Sequence, residues 1–179
     1  MKFAFILNTD GGHPDTYNIQ CQGADFNAVY GVTGVEEGMD YAKHLITQEG
    51  YDCINFCGDF TAEQAAEIRA YNVISREAKY LPEELAKVEQ LEDLSEYGLV
   101  VWDDGFDETK PFDIIDPACN TYIRFVPDVD SACKAAKELV ANGVALIELC
   151  GLFDMERTQK VITAIEGKVP VGSCGLIEL

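Results

Sequence analysis

The sequence predicts an α/β protein made of two tandem ββαβαβ repeats with a mainly parallel sheet, related by pseudo-twofold symmetry, and it leaves open whether the repeats form one continuous sheet or two. The chain repeats itself at a nearly constant spacing, and each copy alternates short apolar runs with amphipathic segments of helical period. Such alternation favours parallel strands joined by right-handed crossovers. The predicted division is a first repeat at 1–80, a connecting helix at 81–96 and a second repeat at 97–179. The two repeats are expected to pack as one compact unit.

The internal repeat appears when the sequence is displaced by 94 positions and then, after a one-residue deletion, by 93. The matched residues include Ile6 with Val100, Asp10-Gly11 with Asp104-Gly105, Gly50 with Gly143, Cys57-Gly58 with Cys150-Gly151, and Phe60 with Phe153. Apolar positions could coincide by chance between any two α/β units. A Gly, a Cys-Gly pair and a Phe at fixed spacing are much harder to obtain that way, so the chain is interpreted as a duplication.

The first repeat reads as strand, long loop, strand, helix, strand, helix, strand. Its strands are predicted near 3–7, 27–32, 53–56 and, more weakly, 72–75. Thr33 with Glu36 predicts a capping box for the first helix, which should end at Gly50. Thr61 with Gln64 predicts a second capping box. The inward face of the first helix is predicted at Val35, Met39, Ala42 and Ile46.

The second repeat follows the same order, with strands predicted at 144–149 and 168–172. Its first helix should face inward through Val129, Cys133, Ala136 and Val140 and should end at Gly143. Asp154 is the predicted N-cap of its second helix, which should stop at Gly167. Between the repeats, Pro82 and an apolar stripe from Leu81 to Leu94 predict the connecting helix, with a partner-binding helix as the alternative.

The charge is strongly negative, with 32 acidic against 13 basic residues and a formal net charge of -19. Such a surface repels phosphate backbones and anionic lipid heads, so neither nucleic acid nor a membrane is an expected partner. The charge is interpreted as a solubility feature, with a cationic partner or a salty cytoplasm as alternatives.

The seven cysteines form no Cys-x-x-Cys pair, and their odd number favours reduced thiols in a cytoplasm. The apolar run from Phe3 to Leu7 stops at Asn8, which is too short for a secretory leader or a membrane span. We therefore expect a first buried strand there and a cytoplasmic protein.

Three segments together resemble a bacterial family of short α/β proteins of unknown function, about one hundred residues and one repeat long. They are Lys2–Ile6, Leu146–Gly151 and Lys168–Gly172. The resemblance implies the strand and helix order given above and assigns no catalytic residue. It also implies that single-repeat relatives assemble as homodimers that this chain reproduces by fusion, and a homo-oligomer is one expectation for the chain itself.

Ligands of open parallel sheets bind beyond the carboxyl ends of the strands, which gives a short list of candidate binding residues. They are Asp10, His13, Asn55, Cys57, Gly58, Asp104, Glu148, Cys150, Gly151 and Cys174. Each Cys-Gly turn leads into a helix, where backbone N–H groups could hold an anion and favour a thiolate. The structural alternative is that glycine makes the turn, phenylalanine fills the core and cysteine is a small buried side chain.

Glu148 is the most informative single residue. It interrupts an apolar strand two residues before Cys150, and burying a carboxylate is costly unless it is paired, liganded or protonated. The matched residue of the first repeat is Asn55, so a pocket or a hydrogen-bond site near the pseudo-axis is predicted. The alternative is a strand-end carboxylate that reaches solvent or bonds to a neighbouring loop. Asp103, Asp104 and Glu148 could gather around a hard cation. No zinc spacing or cofactor motif occurs, so no metal site is predicted and the cofactor stays unknown.

Two classes of function remain from the sequence. The first is a small-ligand binding or sensing module with its site at the strand carboxyl ends. The second is a small enzyme that uses Glu148 as acid or base and Cys150 or Cys174 as nucleophile or ligand. The binding module is favoured because the enzyme lacks a recognisable catalytic constellation.

Overall fold

Two compact units divide the chain in the computed structural model, which describes residues 1–177. They are Met1–Glu77 and Ala78–Leu179. Each unit carries its own sheet, with five strands in the first and six in the second, and most strand pairs are parallel. The predicted α/β class with two similar halves is confirmed.

The first unit has its strands in the order β2-β3-β1-β4-β5. Its elements are β1 (Lys2–Asn8), β2 (Asn18–Gln22), β3 (Phe26–Val32), α1 (Val35–Glu49), β4 (Cys53–Phe56), α2 (Ala62–Arg69) and β5 (Ile74–Glu77). Only β2 runs antiparallel to its neighbour, at the edge of the sheet.

The second unit has the order β6-β11-β10-β7-β9-β8. Its elements are β6 (Lys79–Tyr80), α3 (Pro82–Val88), β7 (Glu96–Trp102), β8 (Lys110–Ile114), β9 (Asn120–Val126), α4 (Val129–Ala141), β10 (Leu146–Cys150), α5 (Met155–Ala164) and β11 (Val171–Ser173). The two edge strands, β6 and β8, run antiparallel to their neighbours.

The sequence did not predict the edge strands β2, β6 and β8. β2 and β8 follow or overlap the segments predicted as long loops and add an antiparallel edge to β3 and β9. Their side chains are exposed or half-buried, so they lack the apolar signature of the inner strands. Backbone pairing to a neighbouring strand, which leaves no pattern in the sequence, forms these edges.

Helix capping agrees with the prediction at two helices and differs at a third. The Thr61–Gln64 capping box and the Asp154 N-cap both form. The predicted Thr33 N-cap is wrong, since α1 starts one residue later with Gly34 at the N-cap. The Thr33 hydroxyl instead donates to the Gly12 carbonyl at 2.9 Å, and Glu37 accepts the Thr33 N–H.

The segment between the repeats holds a shorter helix than the predicted 81–96. α3 ends at Val88, and β7 already begins at Glu96. Pro82 and two glutamates form its first turn as expected, but Leu91 and Leu94 lie beyond its end. The segment belongs to the second compact unit.

Helices α4 and α5 cover one face of the second sheet. Ile147 and Leu149 of β10 pack there with Val100 of β7 in a fully buried cluster. The inward residues of α4 are Ala132, Ala135, Ala136 and Leu139. The predicted face was therefore rotated: the three alanines and Leu139 face the cluster, and Cys133 and Val140 are only half-buried at its edge.

Candidate functional site

Glu148 lies inside the second unit with 1 % of its surface exposed. Its neighbours Ile147 and Leu149 both belong to the cluster under α4 and α5. Because side chains alternate along a strand, Glu148 faces the opposite side of the sheet. The sequence-based alternative of a solvent-reaching carboxylate is therefore excluded by its burial.

Two tyrosine hydroxyls donate to the Glu148 carboxylate, one to each oxygen. The Tyr97 hydroxyl donates to Oε2 at 2.5 Å, and the Tyr80 hydroxyl donates to Oε1. Tyr97 of β7 pairs in register with Leu146 of the adjacent strand β10. Leu146 is two residues before Glu148, so Tyr97 lies on the same face of the sheet as Glu148. Hydrogen bonds to an ionised acceptor are among the stronger ones, so these two donors offset part of the cost of burial. We call Tyr80, Tyr97 and Glu148 the Glu148 cluster.

Gly172 makes room for the Tyr80 ring. It pairs with Glu148 on one side and with Tyr80 on the other. A Cβ atom at position 172 would lie 2.6 Å from Cε1 and 2.8 Å from Cζ of Tyr80. The ring therefore lies over bare backbone, and this close approach lets its hydroxyl reach the next strand.

The two thiols predicted near Glu148 are enclosed. Cys150 is two residues further along β10, on the same face, and is fully buried. Cys174 follows β11, is 2 % exposed, and donates its backbone N–H to the Leu149 carbonyl. Both therefore occupy the positions expected of small buried side chains, closed to a reagent in solution.

The matching position of the first unit is polar but differently built. Asn55 is buried in β4, accepts a weak hydrogen bond from the Cys53 thiol at 3.8 Å and pairs in register with Arg76. Phe3 stands at the position that corresponds to Tyr97. The first unit thus lacks both the carboxylate and the β7 phenol that form the cluster in the second.

The two Cys-Gly turns also differ. Gly151 adopts a left-handed φ of 102° beside the Trp102 backbone, whereas Gly58 is not among the positive-φ glycines. In the first turn, the Cys57 sulfur accepts the Asn8 backbone N–H at 3.3 Å. Phe60 and Phe153 are both buried, as the structural interpretation of the turns predicts.

The helices after these turns satisfy their own N-terminal N–H groups. Thr61 accepts from Gln64 in α2, and Asp154 accepts from Arg157 in α5. Each first turn also carries a glutamate. Side-chain oxygens and negative charge therefore lie where the sequence allowed an anion to bind, which disfavours the anion site.

The first loops do not bring their candidate residues to the cluster. Asp10, His13 and Asp104 are exposed, and the His13 ring accepts the Asp15 backbone N–H within its own loop. Among residues 1–177, no group of three His, Cys, Asp or Glu side chains could hold a metal ion. Asp103, Asp104 and Glu148, which the sequence suggested could gather around a hard cation, therefore do not form such a site.

A surface groove of about 660 Å³ lies elsewhere, between α4 and α5. Cys133, Met155 and Lys160 are among its lining residues, and none of the predicted site residues contributes. Burial raises the pKa of the Cys133 thiol, and the nearby Asp130 carboxylate adds to the rise. That thiol is therefore a poor nucleophile at neutral pH.

The sequence matches the family of unknown function DUF6506 twice, over residues 1–73 and over residues 95–176. The chain belongs to this family. The double match confirms the duplication, and the DUF6506 family has no assigned function. No curated protein matches the chain. Within residues 1–177, no helix is long and apolar enough to span a membrane.

The family matches also separate the members of the Glu148 cluster. Tyr97 and Glu148 lie within the second match, whereas Tyr80 lies in the stretch 74–94 that neither match covers. Sequence reasoning found Glu148 and missed both tyrosines. Tyr97 could have been found as a polar-tipped residue in an inner strand, but nothing local to Tyr80 indicates that β6 pairs with β11.

Proposed function

We propose that the second repeat is a small-ligand binding or sensing module whose site is the Glu148 cluster. The observation that carries the proposal is a carboxylate that is 1 % exposed and is held by two phenol donors in an otherwise apolar strand. A polar arrangement of this kind is costly to build into a core, and binding sites are where proteins tolerate such a cost. A cytoplasmic location is part of the proposal and is supported by the odd number of cysteines, which favours reduced thiols.

The difference between the repeats supports a single site. At the matched position the first unit has Asn55, and it has a phenylalanine in place of Tyr97. If the cluster served only the fold, both copies of the duplicated unit would have equal use for it. We therefore assign binding to the second repeat and a structural role to the first.

The ligand chemistry follows from the direction of the hydrogen bonds. Both phenols direct their hydrogens at Glu148, so the cluster presents lone pairs of carboxylate and phenol oxygens. A ligand that carries a hydroxyl or amine donor complements these acceptors.

The test is a thermal-shift screen of metals and metabolites on the wild-type chain and on Glu148→Gln. A ligand that stabilises the wild type should bind Glu148→Gln about tenfold to hundredfold more weakly, because a charge-assisted hydrogen bond is lost. Tyr122→Phe is the matched control, since Tyr122 is also half-buried but packs against the cluster under α4 and α5 and bonds a different glutamate, Glu96. It should bind like the wild type.

Two outcomes would contradict the proposal. One is silence of the wild type across a broad library, which would favour a structural or protein-interaction role. The other is a ligand whose shift is unchanged in Glu148→Gln.

A small enzyme with Glu148 as acid or base and Cys150 or Cys174 as nucleophile is the second candidate. The shared face of Glu148 and Cys150 favours it, while the burial of both thiols counts against it. Thiol titration of the native chain against pH separates the two functions. A thiol at position 150 or 174 that reacts below neutral pH would favour the enzyme.

A further inference from the structure

The segment Ala78–Val88 lies along the β11 edge of the second sheet, and we call it the strap. It consists of the two-residue strand β6 and the helix α3. Neither family match covers it. Yet the strap supplies Tyr80, which is one of the two phenol donors to Glu148.

A few polar contacts attach the strap to the unit. Glu84, which is 3 % exposed, accepts the Val171 N–H at 2.9 Å. Lys87 pairs with Glu84 at 2.6 Å and donates to the Gly167 carbonyl at 3.1 Å. A helix of this length is not stable by itself, so the strap depends on these contacts, on the packing of Leu81 against the cluster under α4 and α5, and on the pairing of β6 with β11.

The Tyr80 ring occupies a slot with a defined shape. One edge of the ring lies against Gly172, where even a methyl group would collide with it. Its hydroxyl ends on Oε1 of Glu148. The slot therefore accepts a planar ring with a hydrogen-bond donor at its far end.

We infer that Tyr80 stands in this slot in place of a ligand, and that the ligand is a small phenol or a similar planar ring with a hydroxyl or N–H donor. The inference rests on the proposed function and adds the ligand class and its competitor. Tyr80 is the half-buried member of the cluster, whereas Tyr97 and Glu148 are buried, so the strap side is the route of entry. A bound ring displaces Tyr80 and releases the strap.

The test uses 4-methylphenol, the Tyr80 side chain as a free molecule, on the full-length Tyr80→Ala variant. Added 4-methylphenol at about ten times its Kd should raise the unfolding temperature of this variant by about 3–6 °C. Toluene, which fills the slot without donating, should raise it less. The difference between the two probes should shrink in Tyr80→Ala combined with Glu148→Gln, because an amide oxygen accepts a weaker hydrogen bond than a carboxylate does. Tyr122→Ala is the control that should respond to neither probe.

If toluene and 4-methylphenol raise the unfolding temperature of Tyr80→Ala equally, which we call equal rescue, the role of Glu148 in the slot is overturned. If neither probe raises it, the slot itself is overturned. Rescue of Tyr80→Ala without any natural ligand in the wild-type screen would keep the slot and reject the proposed function. A natural ligand that binds Tyr80→Ala no better than the wild type would keep the proposed function and reject competition by Tyr80.

Strap release is tested separately, in case Tyr80→Ala fails to fold. Glu84→Ala removes the acceptor of the Val171 amide without touching the slot, and Glu83→Ala changes an exposed neighbour in the same helical turn. Hydrogen exchange of the Val171 amide should be about tenfold faster in Glu84→Ala and unchanged in Glu83→Ala. 4-Methylphenol should bind Glu84→Ala more tightly than Glu83→Ala, and equal binding would overturn the competition.

Discussion

At the residue scale, the Glu148 cluster depends on three side chains and one missing side chain. A buried carboxylate is stable only while its donors remain, and loss of one partner of such a group costs about 1–3 kcal/mol. The donors come from β6 and β7, on opposite sides of β10. Gly172 stands between Tyr80 and Glu148 in the paired strands. The hydrogen bond from Tyr80 to Glu148 therefore requires the absence of a side chain at position 172 as well as the tyrosine.

Gly172→Ala is expected to destabilise the second unit by about 1–3 kcal/mol, because its Cβ would collide with the Tyr80 ring. Urea unfolding followed by tryptophan fluorescence measures this, since Trp102 is the single tryptophan and lies in the second unit. In a Tyr80→Ala background the same substitution should cost much less, because the ring is gone. Equal costs in both backgrounds would show that the Tyr80 ring is not the obstacle.

At the element scale, capping decides where the helices begin. Thr61 and Gln64 satisfy each other's backbone N–H groups at the start of α2. α1 has no side-chain cap at Gly34 and uses the Asn8 side chain, which accepts the Gly34 N–H at 2.8 Å. One helix therefore carries its start signal in its own sequence, while the other receives it from β1.

Thr61→Ala should lower the stability of the first unit by about 1 kcal/mol, because the cap of α2 is lost. Urea unfolding followed by circular dichroism at the helical band measures the change. Thr47→Ala, at an exposed site near the end of α1, is the control and should be nearly neutral. A loss in Thr47→Ala as large as that in Thr61→Ala would show that capping is not the cause.

At the scale of the whole molecule, net charge is the dominant feature. A charge of -19 on 179 residues means that self-repulsion opposes the compact state. Most described ion pairs lie at the surface, where each contributes little. The chain should therefore be more sensitive to ionic strength than a neutral protein of its size.

Raising NaCl from about 0.01 M to about 0.15 M should raise the urea midpoint of unfolding, because the Debye length falls from about 30 Å to about 8 Å. Choline chloride should act equally, since screening does not depend on the identity of the cation. A rise with NaCl alone would indicate a sodium site, and no rise with either salt would contradict the repulsion.

The sequence by itself determined the duplication, the order in which the inner strands and helices follow one another along the chain, and most helix boundaries. These follow from local signals, namely apolar period, capping residues and glycines after helices, which act over a few residues. The sequence also singled out Glu148, because a lone carboxylate in an apolar strand is visible without any structure. The pseudo-twofold relation between the repeats and the three-part domain division stay predictions.

Only the tertiary structure decided what surrounds Glu148. Tyr80 is 68 residues from Glu148 in the chain and Tyr97 is 51, and strand register brings both hydroxyls to one carboxylate. The edge strands β2, β6 and β8 were likewise invisible, because backbone pairing across a sheet depends on the partner strand and not on local composition. The sequence thus marked the buried charge, and the pairing of β6 with β11 supplied the donor that stabilises it.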